Sequence, residues 1–409
     1  MSPTLLTSVV CSGAGCFFFG GAIRHAAATI KTTITMSKKD TYNTDLYGVK
    51  RRKEERSFFG VLLNILLLTL TIALSVVLIL AYFTPLISPA KFGSMTIMGI
   101  FAPAIYISVV MLALLWVVMR RWRIAGVLAV VLLPGLFLFS DFYRIDISRE
   151  IEPERDRRAF TVMSYNVRGF MDENFRHNLD NFVERYAEEP LPDIACFQEY
   201  MSDARDIELI DELFEGYHKR MTSESGNLMV CTYSRYPIIA TGEISGENRG
   251  TSQWCDVVIR RDTVRVFNNH LYTTSITSDD SEQIADGRIL RDGGRMASIV
   301  DRIASNSAIR AEHVDTLRTV IDATPYKHIV CGDFNDTPMS YVYHRMSRHL
   351  NDAFKECGRG YGYTFRPLHG ILRIDYILYS DGFEAQHYYI DEEAEMSDHL
   401  PVSATLSIL

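Results

Sequence analysis

Three long stretches without a charged residue constrain this 409-residue chain more than any other feature. Lys, Arg, Asp and Glu are absent from residues 57–90, 92–119 and 124–140, which are mostly apolar. A helix needs roughly 20 apolar residues to cross the ~30 Å hydrocarbon layer of a bilayer. Buried helices of a soluble protein would carry a polar face, and these stretches have almost none. We therefore predict three transmembrane helices, at 58–83, 94–119 and 124–140.

The basic residues that flank these stretches predict how the helices are oriented. Five Lys and Arg residues lie within 50–56, before the first helix, and three Arg residues lie within 120–123, between the second and third. Lys91 is the only charged residue between the first and second helices. Because segments rich in Lys and Arg stay on the cytoplasmic side, everything after Asp141 is expected to face the periplasm or the extracellular side of an inner or plasma membrane.

The chain is accordingly predicted to have four parts. Residues 1–57 form a cytoplasmic N-terminal tail, in which Met36 is a candidate for the true start of translation. Residues 58–141 form the membrane anchor, 142–158 a charged linker, and 159–409 a folded domain outside the membrane.

Composition argues against two classes of function for the part from Asp141 onward. It has 29 Lys and Arg against 46 Asp and Glu, a formal net charge of −17, and such a surface repels polyanions at long range. The seven cysteines of the chain show neither a disulfide framework nor a metal-type spacing with His. Cys196, Cys231 and Cys331 lie in apolar runs, which predicts free buried thiols.

Short apolar runs alternate with helical patterns through the C-terminal part. Strands are predicted at 159–167, 192–200, 227–238, 251–260, 263–272, 328–334, 373–380 and 400–408. Helices are predicted at 177–189 and 294–323. Alternation at this rate indicates an α/β domain built in layers.

Polar residues recur where these apolar strands begin or end. They are Asn166, Glu199, His270, Asp333, Asn335, Asp375, Asp398 and His399. Side chains from strand ends converge at one edge of an α/β sheet, where enzymes build their sites. Singly, each has a structural explanation, such as a helix cap, an Asx turn or a buried structural histidine. Together they favour an active site, and their oxygen atoms suit Mg²⁺, Mn²⁺ or Ca²⁺ better than zinc.

The wording and order of these motifs resemble the endonuclease/exonuclease/phosphatase superfamily. The matching blocks are MSYNVRGF (163–170), DIACFQEY (193–200), FNNHL (267–271), GDFNDTP (332–338), RIDYIL (373–378) and SDHLPV (397–402). GDFN followed by SDH near the C-terminus is highly specific, whereas NVRGF or NNHL alone would be weak. The resemblance covers roughly residues 159–409 and leaves the apolar stretches outside it.

This resemblance implies a fold and two sets of site residues. The implied fold is a four-layer α/β/β/α sandwich, two packed mixed β-sheets flanked by helices, preceded here by the three predicted transmembrane helices. The implied metal ligands are Glu199, Asn166, Asp398 and Asp333. The implied catalytic residues are His399, His270, Asp333, Asn335, Asp375 and Arg168.

The family pattern also implies roles. His399, oriented by Asp375, is expected to act as a general base or to polarise the phosphate, and His270 to donate to the phosphate oxygens. Nucleases specific for abasic sites carry an acidic residue where Arg168 stands, so this chain is more similar to the deoxyribonuclease-like branch. The motifs contain no acidic partner for His270, and Glu224 is the nearest candidate.

We therefore predict a metal-dependent hydrolase that cleaves phosphodiester or phosphomonoester bonds by in-line attack of water, with Mg²⁺ as the expected ion. Its substrate is left open among nucleic acids, phospholipid head groups and sugar or inositol phosphates. The acidic charge weighs against DNA, and the anchor favours lipid or small extracellular substrates.

Two other classes of function fit the sequence less well. A catalytically inactive binding or scaffold module would keep the fold, but inactive descendants usually lose a ligand, and none is missing. Transport by the membrane segment is weaker still, because the three predicted helices contain no ionisable Asp, Glu, Lys, Arg or His. No protein partner is inferred, only the membrane and a phosphate ester.

Overall fold

The computed structural model describes residues 58–144, 158–172, 174–200, 204–222, 229–245, 250–274 and 278–409. The predicted tail, 1–57 with Met36 inside it, lies outside these residues. The chain divides into two compact units, Met1–Ile65 and Leu66–Leu409. Every contact described below lies within the second unit.

The apolar stretches are helical. The helices are α1 (Phe58–Ala81), α2 (Pro89–Phe92), α3 (Met95–Ile100), α4 (Ala102–Val118) and α5 (Trp122–Phe139), with one 3₁₀ turn at Thr84–Leu86. One helical stretch, Phe58–Leu86, is long and apolar enough to cross a membrane. The apolar helices Ala102–Val118 and Trp122–Phe137 are shorter. The three transmembrane helices therefore stay a prediction.

Proline shapes two of these helices. The helix of the predicted second span is interrupted at Phe101. Pro103 lies in the first turn of α4, where an amide hydrogen would have no acceptor within the helix, so the proline is tolerated there. Helix α5 continues through Pro134. The hydroxyl of Tyr82 donates to the carbonyl of Val131 at 3.2 Å, just before this proline. This bond joins the end of α1 to the turn of α5 that contains the proline.

Two six-stranded mixed sheets form the C-terminal part. The first has the spatial order β13 (Phe383–Ile390), β14 (Val402–Ile408), β2 (Ala159–Asn166), β3 (Ile194–Gln198), β5 (Cys231–Ser234), β4 (His218–Met221). The second has the order β10 (Asn351–Asp352), β12 (Asp375–Tyr379), β9 (Lys327–Asp333), β8 (Asp262–Leu271), β7 (Gly250–Ile259), β6 (Ile238–Ser245). The pairs β2/β3 and β8/β9 are parallel and the other pairs antiparallel.

Helices cover the outer face of each sheet. Helices α6 (Leu179–Glu188) and α7 (Ala204–Leu213) pack on the first sheet, and α9 (Gly293–Asp322) and α10 (Tyr341–Met346) on the second. The remaining short helices are α8 (Ser278–Ala285), α11 (Ala353–Cys357) and α12 (Pro367–Gly370). The predicted α/β fold with two mixed sheets is confirmed, and the layers follow the order helix, sheet, sheet, helix.

Alternation along the strands fills the space between the sheets. In β2, Phe160 and Val162 belong to the apolar core there. Successive side chains of a strand point to opposite faces, so Ser164 and Asn166 share that inner face farther along the strand. Cys196 and Cys331 lie in the same core as free buried thiols, as predicted. The inner faces thus carry polar side chains to one edge of the sandwich.

One predicted strand was wrong in extent. Within the described part of this run, residues 229–238, the strand is the short β5, and a separate strand, β6, begins at Ile238. Pro237 lies between them, and a proline cannot donate to a strand ladder.

The residues that follow the last apolar helix are packed against the sandwich. Phe142 is buried, and strand β1 (Tyr143–Arg144) pairs antiparallel with β11 (Gly360–Tyr361). The remainder of the predicted linker up to 157 lies outside the described residues. The chain therefore leaves the apolar helices directly onto the folded domain.

Candidate active site

The ends of three adjacent strands bring three polar side chains to one level of the second sheet. Asp333 ends β9 and pairs in register with His270 of β8 on one side and with Asp375 of β12 on the other. Each lies on the inner face, two or four residues from side chains of the apolar core. All three are buried, and they lie where the apolar core ends at the edge of the sandwich.

Asn166 joins the two sheets at this edge. Its Nδ2 donates to Glu199 Oε1 at 3.1 Å and to Asp333 Oδ2 at 3.0 Å. Glu199 follows β3 with φ of 48°, a left-handed conformation that costs a non-glycine residue about 1–3 kcal/mol and is typical of functional sites. Its side chain is 27% exposed, so this carboxylate faces the accessible side of the site.

His270 lies between two carboxylates. Its Nε2 is 3.4 Å from Glu199 Oε1 and 3.9 Å from Asp333 Oδ2. Its Nδ1 has no hydrogen-bond partner among the described residues. Glu224, the predicted acidic partner, lies outside the described residues. Among the described groups, Glu199 and Asp333 are the acidic neighbours of this imidazole.

His399 is held between a carboxylate and an aromatic ring. Its Nδ1 is 2.9 Å from Asp375 Oδ2, and its Nε2 is 3.8 Å from Asp333 Oδ2. The ring of Phe365 packs beside the imidazole with centroids 4.9 Å apart. The sequence did not indicate Phe365, because it lies in a loop outside every motif. The arrangement fixes the imidazole plane and directs Nε2 into the site.

The segment after β9 folds back on its own aspartate. The amide of Asn335 donates to Asp333 Oδ1 at 2.7 Å, which is the Asx turn that the sequence also suggested. Asn335 Nδ2 donates to Asp333 Oδ2 at 2.9 Å and to the carbonyl of Leu271 at 3.0 Å. Asn335 therefore both forms a turn and belongs to the site.

Gly332 of the GDFN motif has no room for a side chain. At its φ of +133° a Cβ would lie 1.9 Å from the carbonyl oxygen of Asn269, a backbone atom of the neighbouring strand. Gly332→Ala is therefore expected to destabilise the protein by about 3 kcal/mol or more, measured by urea unfolding. Gly216→Ala is the control, because Gly216 has φ of +84° but nothing within 4 Å. Similar losses in both variants would contradict the expected clash.

Arg168 and Asp398 form an ion pair on the more exposed side of the site. The Nη1–Oδ2 distance is 3.1 Å, and the guanidinium lies 4.3 Å from the centre of the Phe175 ring. The hydroxyl of Ser397 donates to the carbonyl of Asn166 at 2.8 Å. This bond ties the SDH segment to the end of β2, and it brings Asp398 to the same edge as the other residues.

All nine predicted site residues lie in the described part of the chain and in one cluster. They are Asn166, Arg168, Glu199, His270, Asp333, Asn335, Asp375, Asp398 and His399. Asp398 joins the others through Arg168, whose amide donates to Asn166 Oδ1 at 3.1 Å.

The electrostatics of the cluster shift several pKa values. Burial raises the pKa of Asp333 to about 6, against the attraction of His399 and His270. Burial would also raise the pKa of Glu199, but the His270 imidazole 3.4 Å away and its positive charge lower it to about 2. Burial lowers the pKa of His399, and Asp375 and Asp333 outweigh it, raising the pKa to about 10. Glu199 is thus ionised across the physiological range.

Three ionisable groups have atoms close enough for a shared ion. Potential ligand atoms of Asp333, Asp375 and His399 lie within 4.8 Å of one another. The 2.9 Å contact between Asp375 Oδ2 and His399 Nδ1 has the length of a hydrogen bond, however. We therefore assign that pair to the orientation of the imidazole.

Oxygen donors also lie on the more exposed side of the site. Glu199 and Asp398 add partly exposed carboxylates to that of Asp333, and hard oxygen donors of this kind suit Mg²⁺, Mn²⁺ or Ca²⁺. Asn166 contributes its amide nitrogen to two of these carboxylates, while its oxygen accepts from Arg168. The assignment of the two amide atoms rests on this hydrogen-bond network.

A buried polar layer beneath the site was missed. Gln198 Nε2 donates to Asn268 Oδ1 at 2.8 Å and to Ser164 Oγ at 3.2 Å, and all three are fully buried. Gln198 precedes Glu199, and Asn268 shares the inner face with His270, two residues on. That position on the inner face was the signal available in the sequence. The layer links the two sheets directly below the proposed ligands.

Comparison with known proteins decides the family. Residues 163–399 match the profile of the Endonuclease/Exonuclease/phosphatase family, which is more than half of the chain. The chain belongs to this family. It is accordingly a hydrolase of phosphoric esters. Residues 64–142 match a second profile, described as a domain of unknown function. No curated protein matches the chain.

Several solved structures resemble this one. Truncated TDP2 from Caenorhabditis elegans is 19% identical, with 61% of this chain and 98% of that chain covered and a TM-score of 0.43. The endonuclease/exonuclease/phosphatase from Beutenbergia cavernae is 19% identical, with 62% and 72% covered and a TM-score of 0.43. The 3′ phosphatase NExo from Neisseria, bound to a product DNA hairpin, is 18% identical, with 60% and 98% covered and a TM-score of 0.45.

Proposed function

We propose that the chain is a membrane-anchored, divalent-metal-dependent phosphoesterase that cleaves phosphodiester or phosphomonoester bonds by attack of water. The observation that carries this proposal is the convergence of Glu199 and Asp333 on Asn166, with His270 and His399 on either side of Asp333. It combines anionic oxygen donors with two imidazoles that can exchange protons, which is what hydrolysis of a phosphate ester requires.

We propose that Glu199, Asp333, Asp398 and Asn166 hold the metal, with Mg²⁺ as the first choice and Mn²⁺ or Ca²⁺ as alternatives. To do so, the amide of Asn166 flips, so that Oδ1 takes the place that Nδ2 has beside the two carboxylates. When bound, such an ion stabilises negative charge on phosphate oxygens and lowers the pKa of a bound water. Glu199 is suited to this role because it is ionised and partly exposed.

We propose that the two imidazoles act on the phosphate and on the water. Asp375 holds Nδ1 of His399, so Nε2 is the nitrogen left to move a proton or to polarise a phosphate oxygen. His270 Nε2 faces the same space from β8 and can donate to a second phosphate oxygen. Asn335 orients Asp333 through two hydrogen bonds, and Arg168 adds positive charge at the exposed side.

The membrane anchor is part of the proposal. Large apolar side chains are exposed along the apolar helices, among them Leu66, Leu70, Ile72, Val76, Ile107, Met111, Leu114, Val127, Val130, Leu133 and Leu136. Exposed apolar surface of this extent marks a membrane or partner contact. We propose that α1, α4 and α5 cross the membrane together.

The proposed orientation follows from which end of these helices contacts the folded domain. Thr84, after α1, and Asp141, after α5, both contact the folded domain, whereas the arginine-rich turn at 120–123 joins the other ends of α4 and α5. Arginine-rich turns stay in the cytoplasm. We therefore propose that the catalytic domain faces the periplasm or the extracellular side.

Removal of the metal tests the proposal. Full-length protein in detergent should hydrolyse bis(p-nitrophenyl) phosphate with added Mg²⁺, and excess EDTA should lower the rate by at least about 10³-fold, because the ion supplies several kcal/mol of charge stabilisation. Excess Mg²⁺ should restore the rate, and Mn²⁺ and Ca²⁺ are compared in the same assay. Activity that persists unchanged in EDTA would overturn the metal role.

The same assay separates the proposed substrate classes. Plasmid DNA, phospholipid vesicles and inositol phosphates are offered at equal phosphate concentration, and kcat/KM is compared. The net charge of −17 from Asp141 onward weighs against DNA. We therefore expect higher kcat/KM for a lipid or a small phosphate ester.

A further inference from the structure

The chain that follows the first apolar helix contacts the GDFN segment. The hydroxyl of Thr84 donates to the carbonyl of Met339 at 2.6 Å, and both residues are buried. Met339 lies four residues after Asn335, at the outer end of the segment that begins with Asp333. Met339 also packs in one apolar cluster with Ala102 of α4. Residues at the end of a predicted membrane helix thus meet the loop that carries two site residues.

Gly99 also packs closely against the carbonyl of Met339. Gly99 of α3 lies so close to the Met339 carbonyl that a Cβ would be 2.7 Å from its oxygen. The same carbonyl therefore accepts from Thr84 and has Gly99 against it. A buried carbonyl that loses its only side-chain donor is left with an unmet hydrogen bond.

The segment from 333 to 339 is fixed at its inner end by the sheet and at its outer end by this contact. Near the middle, the hydroxyl of Tyr376 donates to the carbonyl of Asp336 at 2.8 Å. Arg310 of α9, fully buried, has Nη2 3.5 Å from Asp336 Oδ2. Tyr376 and Arg310 belong to the folded domain, whereas Thr84 belongs to the apolar region. The position of the segment 333–339 therefore depends on how the apolar region packs against the folded domain.

The chain that leaves the last apolar helix contacts the other side of the site. The carbonyl of Asp141 accepts from Arg373 Nη1 at 2.9 Å, and Arg373 lies two residues before Asp375. Strand β1 pairs with β11, and the loop that follows β11 contains Phe365, which packs on His399. The residues after the first apolar helix and those after the last one therefore both contact segments that position proposed catalytic groups.

The juxtamembrane segment is the part of the chain between α1 and α4, which begins at Thr84, shortly after α1 ends at Ala81. We infer that this segment helps to position the active site, and that Thr84 is a positioning residue that holds the segment of Asp333 and Asn335 through Met339. This inference rests on the proposed function, because it assigns a role to Thr84 only if Asp333 and Asn335 act on the phosphate. A displacement of about 1 Å at such groups lowers a rate by up to about 10²-fold.

Thr84→Val tests the inference, since valine keeps the shape and removes the donor. In the full-length protein, kcat on bis(p-nitrophenyl) phosphate should fall about 10-fold to 100-fold with KM within about twofold, because positioning and not binding is lost. Thr84→Ser keeps the hydroxyl and should restore most of kcat. Equal kcat in the valine and serine variants would overturn the inference.

A pair of glycine variants gives an independent test. Gly99→Ala places a methyl group against Met339, whereas Gly93→Ala places one 2.8 Å from the carbonyl of Ala304 on α9, away from the GDFN segment. Both crowd the same docked region to a similar degree. Only Gly99→Ala should lower kcat by about tenfold or more. Equal losses in the two variants would mean that the docking supports stability alone, and would overturn the inference.

Amide hydrogen exchange separates failure of this inference from failure of the proposed function. Exchange at residues 333–340 should be faster in Thr84→Val than in Thr84→Ser, because the outer end of the segment is released. This result does not depend on activity. Equal exchange in the two variants overturns the role of Thr84. If exchange is faster in Thr84→Val but the wild-type protein shows no hydrolytic activity, the proposed function is overturned instead.

Discussion

Glu199→Gln is expected to lower kcat about 10³-fold and to leave the fold intact. The substitution keeps the size of the side chain and its hydrogen bond from Asn166, but it removes the negative charge that we propose as the main metal ligand. Loss of several kcal/mol of metal-dependent charge stabilisation corresponds to this factor. Steady-state hydrolysis of bis(p-nitrophenyl) phosphate, with Mg²⁺ varied, measures both kcat and the apparent affinity for the metal.

The metal titration distinguishes a ligand from a merely nearby carboxylate. The apparent affinity of Glu199→Gln for Mg²⁺ should fall at least about tenfold, because one anionic oxygen donor is replaced by a neutral amide. Glu212→Gln on the exposed surface of α7 is the matched control and should change neither value. Normal Mg²⁺ affinity together with wild-type kcat in Glu199→Gln would show that the proposed ligand is wrong.

The predicted site residues lie in one cluster because their positions depend on local pattern, and their roles stay a proposal. Asp333 extends the inner-facing apolar series of its strand by one polar residue, and Asn166 and His270 extend theirs by two, after Ser164 and Asn268. Strand, face and strand end can all be inferred from period-two alternation and the point where it stops. The set could therefore be identified without knowing which strands are neighbours.

Contacts between distant residues could not be predicted in this way. The approach of Glu199 to His270 depends on how the first sheet packs on the second, and alternation within a strand contains no information on that packing. Phe365 lies in a loop whose place beside His399 is set by its pairing with residues around Leu372. Such contacts arise from tertiary packing, which local propensity does not encode.

Edge strands were the weakest part of the sequence-based assignment. Strand β13 was missed because its sequence FEAQHYYI mixes exposed polar residues with the buried Phe383 and Tyr388. It lies at the edge of its sheet, where one side faces solvent and the hydrophobic pattern weakens. The central strands β3 and β9 are buried on both faces and were predicted within two residues at each end.

The docking of the juxtamembrane segment had no signal in the sequence. Thr84 stands in an apolar run where a threonine commonly bonds its own helix, and its hydroxyl oxygen does lie 2.8 Å from the carbonyl oxygen of Ala81. The single hydroxyl hydrogen is therefore shared with the nearer carbonyl of Met339, which is 255 positions away in the sequence. A charge-free stretch predicts insertion into lipid, but it does not show that the end of the helix lies against a catalytic loop.

Asp375→Asn is expected to lower kcat by about 10³-fold or more, although it removes only a charge from a fully buried position. The Asp375 carboxylate accepts from Nδ1 of His399 at 2.9 Å and so fixes which ring nitrogen faces the phosphate. An asparagine can turn its amide nitrogen towards Nδ1 and select the other tautomer. The comparable change in serine protease triads lowers kcat by about 10⁴-fold.

Three further variants show whether Asp375 acts through His399. Asp256→Asn is the control, since Asp256 is also a buried carboxylate of the second sheet, paired with Arg265 at 2.6 Å, and its loss should lower stability without lowering kcat. If Asp375 acts only by orienting the imidazole, the double variant Asp375→Asn with His399→Ala should be no slower than His399→Ala alone. If the losses of kcat in the two single variants multiply in the double variant, Asp375 acts on the phosphate independently of His399. Its 2.9 Å contact with His399 would then not be the basis of its role.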